Sequence, residues 1–246
     1  MKGFWKLTWI EIKVFAREPL GLFGSLGVPV LIYVFLSSAF DEGGPSGTPG
    51  AGVPFNVPVA AALFIAISAV ISLVAIVSIY REGGILKRLR ATPLSPLTIL
   101  CAHVAVKLLF TAATLALLVL AGRRLFPGAM DVDVASFAGA LLLSTLSILS
   151  MGFIIASVVP TARFAQPIGA AFLYPMIAIS GLFYPVERMG PALRGLAYAL
   201  PTTHAVALME GIWNGEGWAA HWMNVVGLVA AMVVCSAIAT RVFRWE

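Results

Sequence analysis

Charge is what this sequence has least of. Asp, Glu, Lys and Arg make up 11% of its 246 residues, where a soluble domain carries about a quarter, so a water-soluble globular fold is excluded. The few ionisable groups are also spread out. No pair of acids falls inside an apolar run as a proteolytic dyad would require, and no His, Cys, Asp or Glu cluster has metal-ligand spacing. The phosphate-binding pattern G-x-x-x-x-G-K-[S/T] does not occur, so ATP is not bound by that route. There are only 2 cysteines. Cys101 and Cys235 both lie in or beside apolar runs, toward the side assigned below as cytoplasmic, and no disulfide is expected. His204 and His221 are far apart in sequence and read as isolated interfacial residues.

What the chain has is hydrophobicity, 60% by residue count, arranged in long runs. Short alternating strands, the signature of a membrane barrel, are not seen. The pattern predicts an all-α integral membrane domain over residues 1–246. Its six spans fall at 20–40, 58–80, 97–121, 134–159, 167–184 and 218–240, each near the roughly 17–25 residues of a bilayer crossing. The apolar run starts only near Leu20, after tryptophans mixed with charges, so a cleaved leader is not expected. With an even number of spans both termini share a side. If that side is cytoplasmic, Lys2, Lys6, Lys13, Arg17, Arg81, Lys87, Arg88, Arg90, Arg163, Arg241 and Arg244 are inside, and Arg123, Arg124, Arg188 and Arg194 are outside, as the positive-inside rule requires. The net charge of +5 is therefore a topology signal, and no nucleic-acid partner is implied. Lys107, about two turns into the third span, is expected to snorkel to the headgroups.

Three segments outside the spans carry a pattern. In residues 1–18, a wheel at about 100° per residue gathers Lys2, Lys6, Lys13 and Arg17 into an arc of roughly 60°, which predicts an amphipathic helix in the lipid interface. Glu11 falls on its apolar side, which leaves open a helix packed on protein. Between spans two and three, residues 81–96 place Ile85, Leu86 and Leu89 on one side of a helix and Lys87, Arg88 and Arg90 on the other, a short basic cytoplasmic helix. Residues 185–217 are too apolar for a solvated loop and are divided by Pro201 into pieces too short to cross, so a re-entrant helical pair on the outer side is expected. The first outer loop, Asp41 to Pro54, is rich in Gly and Pro and reads as a connection without chemistry.

The motif E-x-G-x-L-x-x-L-x-x-T-P, present as Glu82, Gly84, Leu86, Leu89, Thr92 and Pro93 and followed by Leu94, Ser95 and Pro96, resembles the cytoplasmic loop after the second span of ABC-2 type transporter permeases, the membrane subunits of type V, ABCG-like exporters. The runs from Ser180 to Pro185 (S-G-L-F-Y-P) and from Ala199 to Val206 (A-L-P-T-T-H-A-V) strengthen the resemblance, which covers nearly the whole chain. It implies a connecting helix over 1–18 and a coupling helix in 81–96, with Glu82, Gly84, Leu86, Arg88, Leu89, Arg90, Thr92 and Pro93 facing an ATPase. It also implies a substrate path between the second and fifth spans that includes Phe64, Ser68, Ile71, Ser72, Phe172, Tyr174, Met176, Ile179 and Phe183. The implied assembly is a homodimer of permeases with two copies of a separate ABC ATPase subunit, which holds the ATP and Mg; this chain itself binds no cofactor and is not an enzyme. The implied location is the cytoplasmic membrane of a prokaryote.

The aromatic and methionine side chains of that path suit a hydrophobic or amphipathic small molecule, a drug-like compound or a lipid, moved outward. Export of a polysaccharide or lipid-linked polymer is the nearest alternative, and the sparse polarity of the path weighs against it. A membrane scaffold without transport predicts the same spans and the same basic island.

Overall fold

The computed structural model describes residues 2–17, 19–41, 57–83, 96–125, 133–159 and 161–242. Among these every regular element is a helix, as expected where lipid offers the backbone no hydrogen bonds. The helices are α1 (Lys2–Ala16), α2 (Pro19–Leu22), α3 (Val28–Asp41), α4 (Val57–Glu82), α5 (Pro96–Leu125), α6 (Val134–Val158), α7 (Ala162–Ala178), α8 (Pro191–Tyr198), α9 (Pro201–Trp213), α10 (Gly217–Ala220) and α11 (Trp222–Val242). A π-helical turn, Phe23–Gly27, joins α2 to α3.

Among the described residues four helices are long and apolar enough to cross a membrane: Val59–Glu82, Cys101–Ala121, Val134–Val158 and Trp222–Arg241. Around 20–40 the helical path runs on through the π turn, with right-handed helical backbone at Leu22 and Val28 on either side of it. Around 167–184 the observed helix starts earlier and stops earlier than expected, at Ala162–Ala178. Its 17 residues reach about 26 Å at 1.5 Å per residue, just short of a hydrocarbon core of roughly 30 Å. The early stop has a local cause. Ser180 Oγ donates to the Ile177 carbonyl at 2.7 Å and accepts from Leu182 N at 3.4 Å, and Gly181 takes φ +99°, a left-handed turn that suits glycine.

The core lies between α4 and α6. Helix α4 is apolar all round, and Val59, Ala60, Ala61, Ala62 and Leu63 are almost completely buried, as befits a helix enclosed by α3, α5, α6, α7 and α9. Without a strong hydrophobic drive between helices in lipid, close contact of small residues matters. A Cβ on Gly152 of α6 would come 2.8 Å from Val70 Cγ1 of α4, so the glycine is what allows this approach. On its other side α6 meets α11, where Ser147 Oγ donates to the Leu228 carbonyl at 2.8 Å across the helices. The rest of α11 presents Val226, Val229, Val233, Val234 and Ile238 outward, a continuous apolar surface.

The two ends of the bundle can be told apart by contacts. Arg81, at the end of α4, reaches the end of α6 at Ala156 and Ser157. Trp213, at the end of α9, packs edge-on against Phe137 in the first turn of α6, with centroids 5.4 Å apart. Helices α8 and α9 therefore sit at the end opposite to the C-terminal end of α4. Pro201 occupies the first turn of α9, where its missing N–H has no intrahelical partner to lose.

Candidate functional site: the inner joint and its cavity

Helix α1 lies against α5 and is not free on a surface. Phe15 packs at a tilt against Phe110 with ring centroids 4.4 Å apart, and Thr8 and Glu11 are both 8% exposed. Glu11, the residue out of place on the wheel, is what fastens the helix. Its Oε1 accepts from the Tyr80 hydroxyl at 2.7 Å, and its Oε2 lies 3.5 Å from Nδ1 of His103 on α5. The outward face carries Trp5, Trp9 and Ile10 with Lys6 and Lys13, and Lys13 sits over the Trp9 ring at 5.4 Å. The helix thus packs on protein by one side and offers indoles and ammonium groups on the other, a composition suited to the lipid interface.

Lys107 does not snorkel. It is 7% exposed, donates to Ser72 Oγ of α4 and lies over the Phe15 ring at 4.3 Å. A hydroxyl, an aromatic face and the neighbouring Glu11 and His103 give the ammonium an internal environment it would otherwise seek in the headgroups.

The three residues that close α4 each reach a different element. Tyr80 holds α1 through Glu11. Arg81 Nη1 donates to the carbonyls of Ala156 and Ser157 at 3.2 Å each, satisfying acceptors that the end of α6 leaves open and placing a cation at its negative pole. Glu82 Oε2 accepts from Ala162 N at 2.6 Å, an anion on the N-terminus of α7. One residue after Glu82 the described backbone ends, and the predicted coupling residues Gly84, Leu86, Arg88, Leu89, Arg90, Thr92 and Pro93 lie outside the described residues.

Beside this joint is an open cavity of about 480 Å³ lined by α1, α4, α5 and α7, with Ser68 and Ser72 in one wall and Glu11, Lys107 and Gln166 among the polar groups. Of the predicted path residues, Ser68, Ile71 and Ser72 line it. Phe64 is half-buried. Phe172, Tyr174 and Phe183 are about half exposed on the outer surface of α7 and the turn after it. Met176 is 5% exposed and belongs to the core, while its carbonyl accepts from Thr202 Oγ1. Sequence reasoning missed Tyr80, Arg81 and His103 as joint residues; the one signal was the carboxylate of Glu11 among apolar neighbours.

An all-helical bundle with four apolar helices of crossing length, an amphipathic helix docked at one end and two short helices at the other is the architecture of a polytopic membrane protein. The family of ABC-2 type transporters matches residues 2–213 of this chain. The chain belongs to that family and is a permease of an ABC transporter. No curated protein is close enough in sequence to match it.

Proposed function

We propose that this chain is the membrane subunit of an ABC exporter that moves a hydrophobic or amphipathic small molecule outward, using ATP hydrolysed by a separate ATPase subunit present in two copies. The observation that carries this reading is the cavity at the inner joint. Its wall is largely apolar but carries Glu11, Ser68, Ser72, His103, Lys107 and Gln166, polar groups from all four helices, and its volume is within the roughly 300–1,000 Å³ of a small-ligand pocket. An amphipathic molecule matches that mixed lining better than a purely apolar one. The second protomer of a homodimer would cover the exposed aromatic face of α7. The coupling loop would receive the ATPase through Leu86 and Leu89, with Arg88 and Arg90 orienting the contact, and both termini would be cytoplasmic in a prokaryotic inner membrane.

The test is ATP hydrolysis by the partner subunit, purified with this chain in lipid nanodiscs, as lipids and amphipathic compounds are added one at a time. Stimulation is expected, and Leu89→Asp is expected to abolish it without preventing insertion, since a carboxylate buried in the docking groove has no partner. Coupled hydrolysis that survives Leu89→Asp would remove the coupling role from this loop.

A further inference from the structure

At the end of the bundle opposite to the joint, the two histidines that look isolated in sequence are wired together. His204 of α9 places Nε2 3.0 Å from the Tyr198 carbonyl and Nδ1 3.1 Å from Asn224 Oδ1 of α11. Asn224 Nδ2 lies 3.2 Å from Nδ1 of His221, whose Nε2 lies 2.7 Å from Glu216 Oε2. The line runs from a carbonyl through His204, Asn224 and His221 to a carboxylate.

The Tyr198 carbonyl can only accept, so His204 Nε2 must carry a hydrogen; the Glu216 carboxylate can only accept, so His221 Nε2 must carry one too. A neutral imidazole has one N–H, so with both rings neutral both Nδ1 atoms would be acceptors. Asn224, between them, has one donating and one accepting end. It can satisfy one Nδ1 but confronts the other with an oxygen. Turning the amide over changes which ring is left out and not the count. All four links are made together only when the line holds one proton more than two neutral rings and a carboxylate. An imidazole is intrinsically the stronger base than a carboxylate, so that proton sits on a ring, and with Asn224 Oδ1 facing His204 Nδ1 the ring that must donate there is His204.

The backbone around the rings is shaped for them. A Cβ on Gly227 of α11 would come 2.7 Å from Cδ2 and Nε2 of His204, and a Cβ on Gly211 of α9 would overlap the His221 ring. Each helix thus bares its backbone to a histidine lying across from it. Other ionisable groups near this end are few. Helix α6, which packs on both α9 and α11, has none between Val134 and Val158, and Asp133 at its N-terminus is held below the usual carboxylate range by its bonds to Ser136 and to the backbone of Ala135 and Ser136. Helix α9 contributes Glu210, whose carboxyl is held high by burial and by Glu187. Around α8, Arg194 is committed to the carbonyls of Glu187 and Met189, and Arg188 is exposed. Helix α10 brings none. Of the remaining packed helices, α7 has Arg163 at its inner end and Tyr174, and α4 and α11 carry Tyr80, Arg81, Glu82, Cys235 and Arg241 toward the far end.

We propose that His204, Asn224, His221 and Glu216 form a site that binds a single proton, and that this proton ties the α8–α9 pair to α11. When it leaves, one link of Asn224 turns from a hydrogen bond into a contact between two acceptors, and α9 is freed from α11 at that point.

The experiment is ¹⁵N NMR of ring-labelled histidine in the full chain in lipid nanodiscs, with hydrogen exchange of residues 201–213 measured in parallel and corrected for intrinsic rates. The chain has 3 histidines, and His204→Gln and His221→Gln assign the signals. The expected result is that the outer pair carries one imidazolium between them at pH 6 and loses it in a single step that moves the Nδ1 signals of both rings. Exchange of 201–213 should rise at least about tenfold across the same step. Asn224→Leu should make the two rings titrate independently and leave the exchange without that step, while Asn224→Asp, which can accept from both rings, should hold both as imidazolium at pH 6. Two independent titrations in the unmodified chain, two neutral rings at pH 6, or a titration unchanged by Asn224→Leu would each overturn the proposal.

Discussion

Glu11 is the residue on which the placement of α1 depends. A carboxylate 8% exposed on the face of α1 packed against protein would be too costly without partners, and Tyr80 supplies a hydroxyl at 2.7 Å. Tyr80→Phe removes that donor and leaves the carboxylate buried. We expect a loss of about 1–3 kcal/mol in stability, visible as a lowered melting temperature of the chain in detergent. Glu11→Gln, which keeps an acceptor for Tyr80, should lose less. Equal melting of both variants and the unmodified chain would show that the Glu11–Tyr80 contact contributes nothing to stability.

At the scale of the element, the short reach of α7 and the way it is held matter most. Its first N–H, on Ala162, is bound by Glu82, so the last turn of α4 is fixed to the start of α7 by one bond. Ala162→Pro deletes that N–H at a position where proline fits. Thr161 before it already has φ −141° and ψ 159°, the extended conformation that a residue preceding proline adopts. The helix should therefore persist, with stability lowered by about 0.5–2 kcal/mol, as for the loss of a cap. On the proposed reading, Ala162→Pro and Glu82→Ala should reduce substrate-stimulated ATP hydrolysis to the same degree, and the double variant should be no worse than either alone. Additive losses would mean that Glu82 acts on something other than α7, such as the ATPase surface.

For the whole molecule, contacts alone separate two ends: one with α1, the joint and the ends of α4 and α6, the other with α8, α9 and the histidine line. On the proposed orientation the first end faces the cytoplasm. Both native thiols are unpaired, so they must be replaced by serine before sidedness is read. On that background Arg241→Cys should react with an impermeant maleimide only in inverted vesicles and Glu187→Cys only in right-side-out ones. Reaction of both from one side would require a different path of the chain through the bilayer.

Membrane residence, helicity and family membership were legible in the sequence because they rest on composition, run length and local motifs, which need no knowledge of neighbours. The division of residues 185–217 at Pro201 was legible for the same reason, since proline acts on its own backbone. The end of the helix at Ala178 was not, because a serine hydroxyl and a left-handed glycine stop it within an apolar run. Lys107, Glu11 and the outer histidines were misjudged or left without a role because each is decided by a partner from another helix: Ser72 and Phe15 for the lysine, Tyr80 and His103 for the glutamate, Asn224 for the histidines. Apolar patterning places a helix in the membrane, but a buried polar side chain is settled only by what lies within hydrogen-bond distance, and that was decided by the tertiary structure alone.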